Sequence, residues 1–93
     1  METKLVVQKR DLTGKESARK IRKKGQIPGV IYGLKKEVVH IQVEDIAFRK
    51  VFRQKPETIE LEWEGNIEKV KIQDIQIDTL EEKILHVDFL RLS

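Results

Sequence analysis

Residues 58–77 read TIELEWEGNIEKVKIQDIQI, and the alternation in this stretch decides the fold. Successive side chains of an extended chain point to opposite faces. Ile59, Leu61 and Trp63 therefore share one side, while Thr58, Glu60, Glu62 and Glu64 share the other. One apolar face and one polar face mark a half-buried strand. Gly65-Asn66 is a two-residue hairpin signal, so the segment from Ile67 to about Ile77 should return antiparallel. Its phase slips on the way, with Val70 and Ile72 at even positions and Ile75 and Ile77 at odd ones. One extra residue near Gln73-Asp74, a β-bulge, accounts for the slip.

The same reading extends outward. Residues 3–9 alternate, with Leu5 and Val7 on one side. The loop RDLTGKES breaks that pattern around Gly14. Ile27 to Gly33 is a second run, entered at Pro28 and closed by a glycine. After a turn at GLKKE, Val39, Ile41 and Val43 alternate with Val38, His40 and Gln42. LEEK, residues 80–83, turns the chain again. Leu85, Val87 and Phe89 then alternate with His86, Asp88 and Leu90.

Two segments have helical period instead. SARKIRKK, residues 17–24, has Ser17 in place to cap it and stops at Gly25, a residue suited to a left-handed C-terminal cap. Ala18 and Ile21 form a thin apolar face, with Arg19, Arg22 and Lys23 expected on the opposite side. Clustered cations on so little apolar surface predict a helix that is mobile alone and ordered by a polyanion. Glu44 to Arg53 places Phe48, Val51 and Phe52 at helical spacing, with acids first and bases last, as the helix dipole favours; Pro56 closes it. Trp63, Phe48, Phe52 and Phe89 run in phase with aliphatics and read as core. The expected architecture is mostly β: a β-barrel of about six strands, largely antiparallel, with two to three short α-helices. Residues 1–93 are expected to form a single domain.

Ninety-three residues allow one small core, burying about 60–65% of the unfolded surface. There are no cysteines, which excludes disulfides, zinc–thiolate sites and cysteine nucleophiles. The start METKLVVQKR carries no long apolar run, so no secretory signal is read there. No stretch approaches the roughly 20 apolar residues of a membrane span. The net charge of +3 hides an asymmetry: residues 1–40 hold 11 Lys/Arg against 4 Asp/Glu, and residues 41–93 hold 8 against 12, giving +7 and −4. One half of the chain is polarised to meet an anion.

Residues 9–24, KRDLTGKESARKIRKK, concentrate 8 cations against 2 acids. They are either a phosphate-neutralising element or a solvated helix face; the concentration of charge in one half favours the first. His86 and Asp88 are two apart on one strand and project from one face. They suit a metal pair, a general base with its orienting partner, contacts to RNA hydroxyls and base edges, or a plain surface pair. A third ligand is hard to find, since His40 is the only other histidine. Tyr32 is a stacking platform or hydroxyl donor, or else a core or barrel-rim residue. Gln73, Asp74 and Gln76 gather amides and a carboxylate at the suspected bulge. No glycine-rich phosphate loop, HExxH or GxSxG pattern occurs.

Four motifs follow one another in order: G-K-x-S-A-R-K-I-R, G-Q-I-P-G-V-I-Y-G, V-K-I-Q-D-I-Q and H-V-D-F. Together, over essentially the whole chain, they resemble the bacterial large-subunit ribosomal protein family L-twenty-five, whose stress-induced members are called Ctc. The resemblance implies a six-stranded β-barrel with flanking helices and no catalytic activity. It implies a structural protein of the large ribosomal subunit that binds 5S ribosomal RNA at its loop E region, approached from the widened minor groove, as part of the central protuberance. Arg10, Arg19, Tyr32, His86 and Asp88 match the family's RNA-binding positions, and Arg22, Gln73, Asp74 and Gln76 match further interface positions. The same resemblance implies a cytoplasmic, ribosome-associated protein, monomeric when free, without cofactor, membrane or small-molecule substrate. A different class of reading is a small basic adaptor domain whose helix docks on an acidic protein partner.

Overall fold

The structure is a computed structural model that describes residues 3–11 and 14–92. Leu12 and Thr13, within the expected loop RDLTGKES, lie outside the described residues. The elements run β1 (Thr3–Val6), β2 (Gln8–Lys9), α1 (Lys15–Lys23), β3 (Gln26–Tyr32), β4 (Val39–Glu44), α2 (Asp45–Arg53), β5 (Ile59–Trp63), β6 (Asn66–Asp78) and β7 (Lys83–Arg91). The seven strands form one sheet in the order β1-β5-β6-β7-β3-β4-β2. The chain is therefore mostly β, a nearly closed barrel-like sheet, with two helices among the described residues.

The seventh strand comes from the first segment, which is two strands rather than one. β1 pairs parallel with β5, and β2 pairs antiparallel with β4. Only Val7 separates them, and they stand at opposite ends of the sheet order. The sheet therefore curls until its two edges meet at a single residue. Val7 is buried, and its N–H still donates to the Glu62 carbonyl at 2.9 Å. Closing the edges in this way removes a site of unwanted strand pairing. Most pairings are antiparallel, as the alternation predicts; β1·β5 and β3·β7 are parallel.

Helix α2 lies against β1 and β4, over the seam where the barrel closes. Its Phe48 is fully buried and meets Phe89 of β7 edge-on, with ring centroids 6.2 Å apart. Phe52 departs from the expected core assignment. It is 42% exposed, because it lies four residues on from Phe48 and stacks over that ring at 6.0 Å from outside. Trp63 is half-buried and packs on the edge of the core. The core itself is aliphatic, with Ile27, Ile31, Ile41, Val43, Ile59, Leu61, Val70 and Val87 all almost wholly buried.

The β5–β6 hairpin forms one residue earlier than its sequence signal. Trp63 pairs with Asn66, so the turn residues are Glu64 and Gly65, both with positive φ (45° and 81°), as a type I′ turn requires. The bulge does lie at Gln73: Ile72 pairs with Phe89 and Asp74 with Asp88, and Gln73 is skipped. A second bulge is absent from the expected pattern. Gln76 pairs with His86 and Ile77 with Ile84, which leaves Leu85 without a partner. Ile84 consequently takes the buried position expected for Leu85, and Leu85 moves outward, half-buried.

Candidate nucleic-acid interface

Helix α1 starts at Lys15, earlier than Ser17. Gly14 is the N-cap residue, with φ 111°, and no side chain caps the helix. Ser17 instead accepts a hydrogen bond from Arg10 Nη2 at 3.0 Å. The C-terminus ends as the sequence indicates: Gly25, at φ 80°, donates its N–H to the Arg22 carbonyl at 3.1 Å. No residue of α1 is fully buried. The helix leans on the outer face of β3 through half-buried Ala18, Ile21 and Arg22. Arg22 therefore faces the sheet, not the side opposite Ala18. It lies four residues after Ala18, one turn on along the same face.

The second bulge explains what Arg22 finds there. Leu85 has no ladder partner in β6, and its carbonyl accepts a hydrogen bond from Arg22 Nη1 at 3.2 Å. Pro28, the third residue of β3 and buried, lies beneath the helix. Between helix and sheet runs a groove of about 490 Å³, lined on one side by Lys15, Ala18, Arg19 and Arg22 and on the other by Arg10, Pro28, Val30, His40, Gln76, Leu85 and His86. Five of the nine expected site residues, Arg10, Arg19, Arg22, Gln76 and His86, meet in this groove.

The other four lie on the continuation of the same outward sheet face. The ladder aligns His40, Val30, Asp88 and Asp74 in one cross-strand row. Gln76 stands opposite His86 in a neighbouring row. Gln73, extruded by its bulge, is exposed next to Asp74. Tyr32 is half-buried at the end of β3. It lies two residues beyond Val30, hence on the same face and about 6–7 Å further along. It is a rim residue pointing outward rather than a core residue.

Burial and like charge meet at this surface. Burial lowers the pKa of the Arg10 guanidinium, and the nearby charge of Arg22 lowers it further. Arg10 Nε is buried with no hydrogen-bond partner among the described residues. Two like charges in a half-buried groove, one with an orphaned donor, are costly without an anion between them. Beyond the groove, Asp74 and Asp88 stand directly opposite each other, an arrangement that destabilises a sheet. Local hydrogen bonds offset part of this: Asp88 Oδ1 lies 3.0 Å from His86 Nδ1, and Asp74 Oδ1 accepts the Ile75 N–H at 2.9 Å.

The surface thus offers guanidinium donors of Arg10, Arg19 and Arg22 in the groove and carboxylate, imidazole and amide groups along the sheet face. Among the described residues no group of three His, Cys, Asp or Glu side chains is placed to hold a metal ion. No helix of the described residues is long and apolar enough to cross a membrane. His40 and Lys15 are groove residues absent from the expected set. Alternation puts His40 outward, but nothing local to β4 reveals that it shares a cross-strand row with Asp88, with Val30 of β3 between them.

A family model described as the Ribosomal L25p family matches residues 5–89. Curated relatives named large ribosomal subunit protein bL25 align over nearly all of the chain. The one from Anaeromyxobacter dehalogenans is 36% identical over 95 residues, 99% of this chain and 40% of the relative. The one from Zymomonas mobilis is 37% identical over 94 residues, 96% and 42%. The one from Listeria monocytogenes is 33% identical over 95 residues, 100% and 46%. The chain spans less than half the length of these relatives.

Proposed function

The chain belongs to the ribosomal L25p family, and from that premise we propose that it is a ribosome-associated, cytoplasmic protein of the large subunit that binds 5S ribosomal RNA. The observation that carries this reading is the pairing of Arg10 and Arg22 in a half-buried groove, with an Arg10 donor left unsatisfied among the described residues. A phosphate between the two guanidiniums would relieve their repulsion and supply the missing acceptor. The relatives' names support the large subunit as the destination.

The mix of donors and acceptors on the sheet face suits an irregular RNA better than a regular helix. A regular A-form major groove is too deep and narrow for side chains to read. A distorted internal loop such as loop E of 5S RNA presents a widened minor groove with hydroxyls and base edges. Arg10, Arg19 and Arg22 would hold phosphates at its rim. Gln73, Asp74, Gln76, His86 and Asp88, on the rigid sheet face, would meet base edges and 2′-hydroxyls, and Tyr32 would stack or donate its hydroxyl. A carboxylate beside RNA is unfavourable unless it accepts hydrogen bonds, so Asp74 and Asp88 contribute selectivity more than affinity. On this reading the protein acts by binding RNA, without catalysis.

Filter binding to 5S RNA across a salt series tests this reading. With about 4–6 phosphate contacts, the slope of log K against log salt is about −3 to −5. A flat salt profile, or retention of an acidic protein but not of RNA, would contradict it.

A further inference from the structure

The rim of the barrel beneath Tyr32 holds a charge pair at inward-facing positions. Arg91, the last residue of β7, pairs with buried Val70 and is only 6% exposed. Its Nε donates to Glu68 Oε1 at 2.6 Å. The other Glu68 oxygen accepts the Trp63 indole N–H at 2.9 Å. The guanidinium has a second arm in use: Nη1 donates to the Gly33 carbonyl at 3.3 Å.

Gly33 immediately follows Tyr32, and Arg91 fixes it in two ways. Besides the hydrogen bond to its carbonyl, the backbone of Gly33 lies against the backbone of β7. A Cβ there would meet Leu90 Cδ1 at 2.9 Å and the Arg91 backbone nitrogen at 3.3 Å, and φ is +113°. On the other side of Tyr32, Ile31 is wholly buried. The tyrosine is thus held at both flanking residues, while its own hydroxyl has no partner among the described residues. Stability is a poor account of the charge pair. Buried ion pairs are often matched or bettered by apolar residues of similar size, and their best-attested use is to specify one arrangement.

We propose that the Arg91–Glu68–Trp63 cluster sets the position of Tyr32 for its contact with RNA, which makes Arg91 a positioning residue and not itself an RNA contact. This rests on the RNA-binding reading of Tyr32 given above. Arg91 orients the tyrosine through the Gly33 carbonyl. Glu68, held in turn by Trp63, keeps the guanidinium plane aimed at that carbonyl. A lysine at 91 would keep a cation beside Glu68 but has no planar fork to hold both partners at once.

The test is a double-mutant cycle read by filter binding to 5S RNA, using wild type, Tyr32→Ala, Arg91→Lys and the double variant, with folding checked by Trp63 fluorescence. Tyr32→Ala weakens binding about tenfold in the wild-type background, as loss of a base-stacking aromatic does. In the Arg91→Lys background it weakens binding less than about threefold, because coupled residues are not additive. Arg91→Lys alone weakens binding several-fold while leaving the salt slope unchanged, which separates positioning from a lost phosphate contact. Equal factors in both backgrounds would overturn the positioning role and leave Tyr32 as a contact. No effect of Tyr32→Ala in either background would overturn the reading beneath it as well. If Arg91→Lys does not fold, Glu68→Gln with Arg91→Met removes the charge pair without stranding either partner and supports the same cycle. Tyr32 is the chain's one tyrosine, so its ring resonances give an independent readout: one sharp set in wild type and broadened or split signals in the variant. Unchanged tyrosine resonances would count against the proposal.

Discussion

Arg22 of α1 donates from Nη1 to the carbonyl of Leu85 at 3.2 Å, across 63 residues of chain. The acceptor belongs to the bulged residue of β7, which has no ladder partner in β6. A helix with no fully buried side chain is thus held over the sheet by one of the cations assigned to RNA. Arg22→Ala should both loosen α1, seen as faster amide exchange in residues 15–23, and weaken RNA binding by about 1.5–3 kcal/mol. The salt slope should fall by about 1.

Arg10 predicts a trade between stability and binding. Its guanidinium is partly desolvated and repelled by Arg22, and its Nη2 donates to Ser17 Oγ at 3.0 Å. Arg10→Met removes the repulsion and keeps the packed stem. Thermal melting should show a midpoint equal to or above wild type, while filter binding shows at least a tenfold loss, about 1.4 kcal/mol. A melting temperature several degrees lower would mean that Arg10 serves the fold first.

Glu68 makes stability depend on acid. Burial raises its pKa, but hydrogen bonds from Trp63 and Arg91 and the charges of Arg91 and Lys36 more than offset this, so the folded value lies below the ordinary 4.5. A depressed carboxyl pKa stabilises the fold above the unfolded value and loses that contribution as pH falls through the folded value. Stability measured by urea unfolding should fall as pH drops below about 4.5. In Glu68→Gln that part of the pH dependence should be absent. Identical acid limbs in both proteins would contradict the assignment.

Gly29 is set by space and not by backbone angle. A Cβ there would lie 2.7 Å from the Val87 carbonyl oxygen and 2.9 Å from its Cγ1, because parallel β3 and β7 pair at these two residues. Gly29→Ala should cost about 1–3 kcal/mol or more, which for a domain of this size lowers the melting temperature by roughly 5–20 °C. Gly65, with nothing within 4 Å of its Cβ position, should show only the smaller penalty of its positive φ.

Strand content was legible because alternation is a local property. Ile59, Leu61 and Trp63 announce β5, and the phase slip at Gln73 announces its bulge. The pairing of strands is a long-range property and was not legible. Nothing near Val7 shows that β1 and β2 serve opposite ends of the sheet, and nothing near Gly29 shows that β3 runs parallel to β7. Leu85 misled for the same reason: its alternation with Val87 holds locally, and the bulge that turns it outward exists only against β6. Arg22 carries the same lesson for the site. Its charge drew attention, but its direction depends on a carbonyl 63 residues away. Arg10, Arg19, Arg22, Gln76 and His86 were visible individually, whereas Lys15, His40 and Leu85 joined the groove, and all of them converged, only through the fold.

Filter binding of the Arg19→Ala, Tyr32→Ala double variant against 5S RNA tests whether the groove and the adjoining sheet face form the RNA-binding surface proposed above. Arg19 lies on the exposed side of α1 and Tyr32 on the rim of β3, so the fold should tolerate both changes. The account predicts a melting temperature close to wild type and an affinity lower by about 2–4 kcal/mol, roughly 30-fold to 1,000-fold. Unchanged affinity in a folded double variant would contradict it.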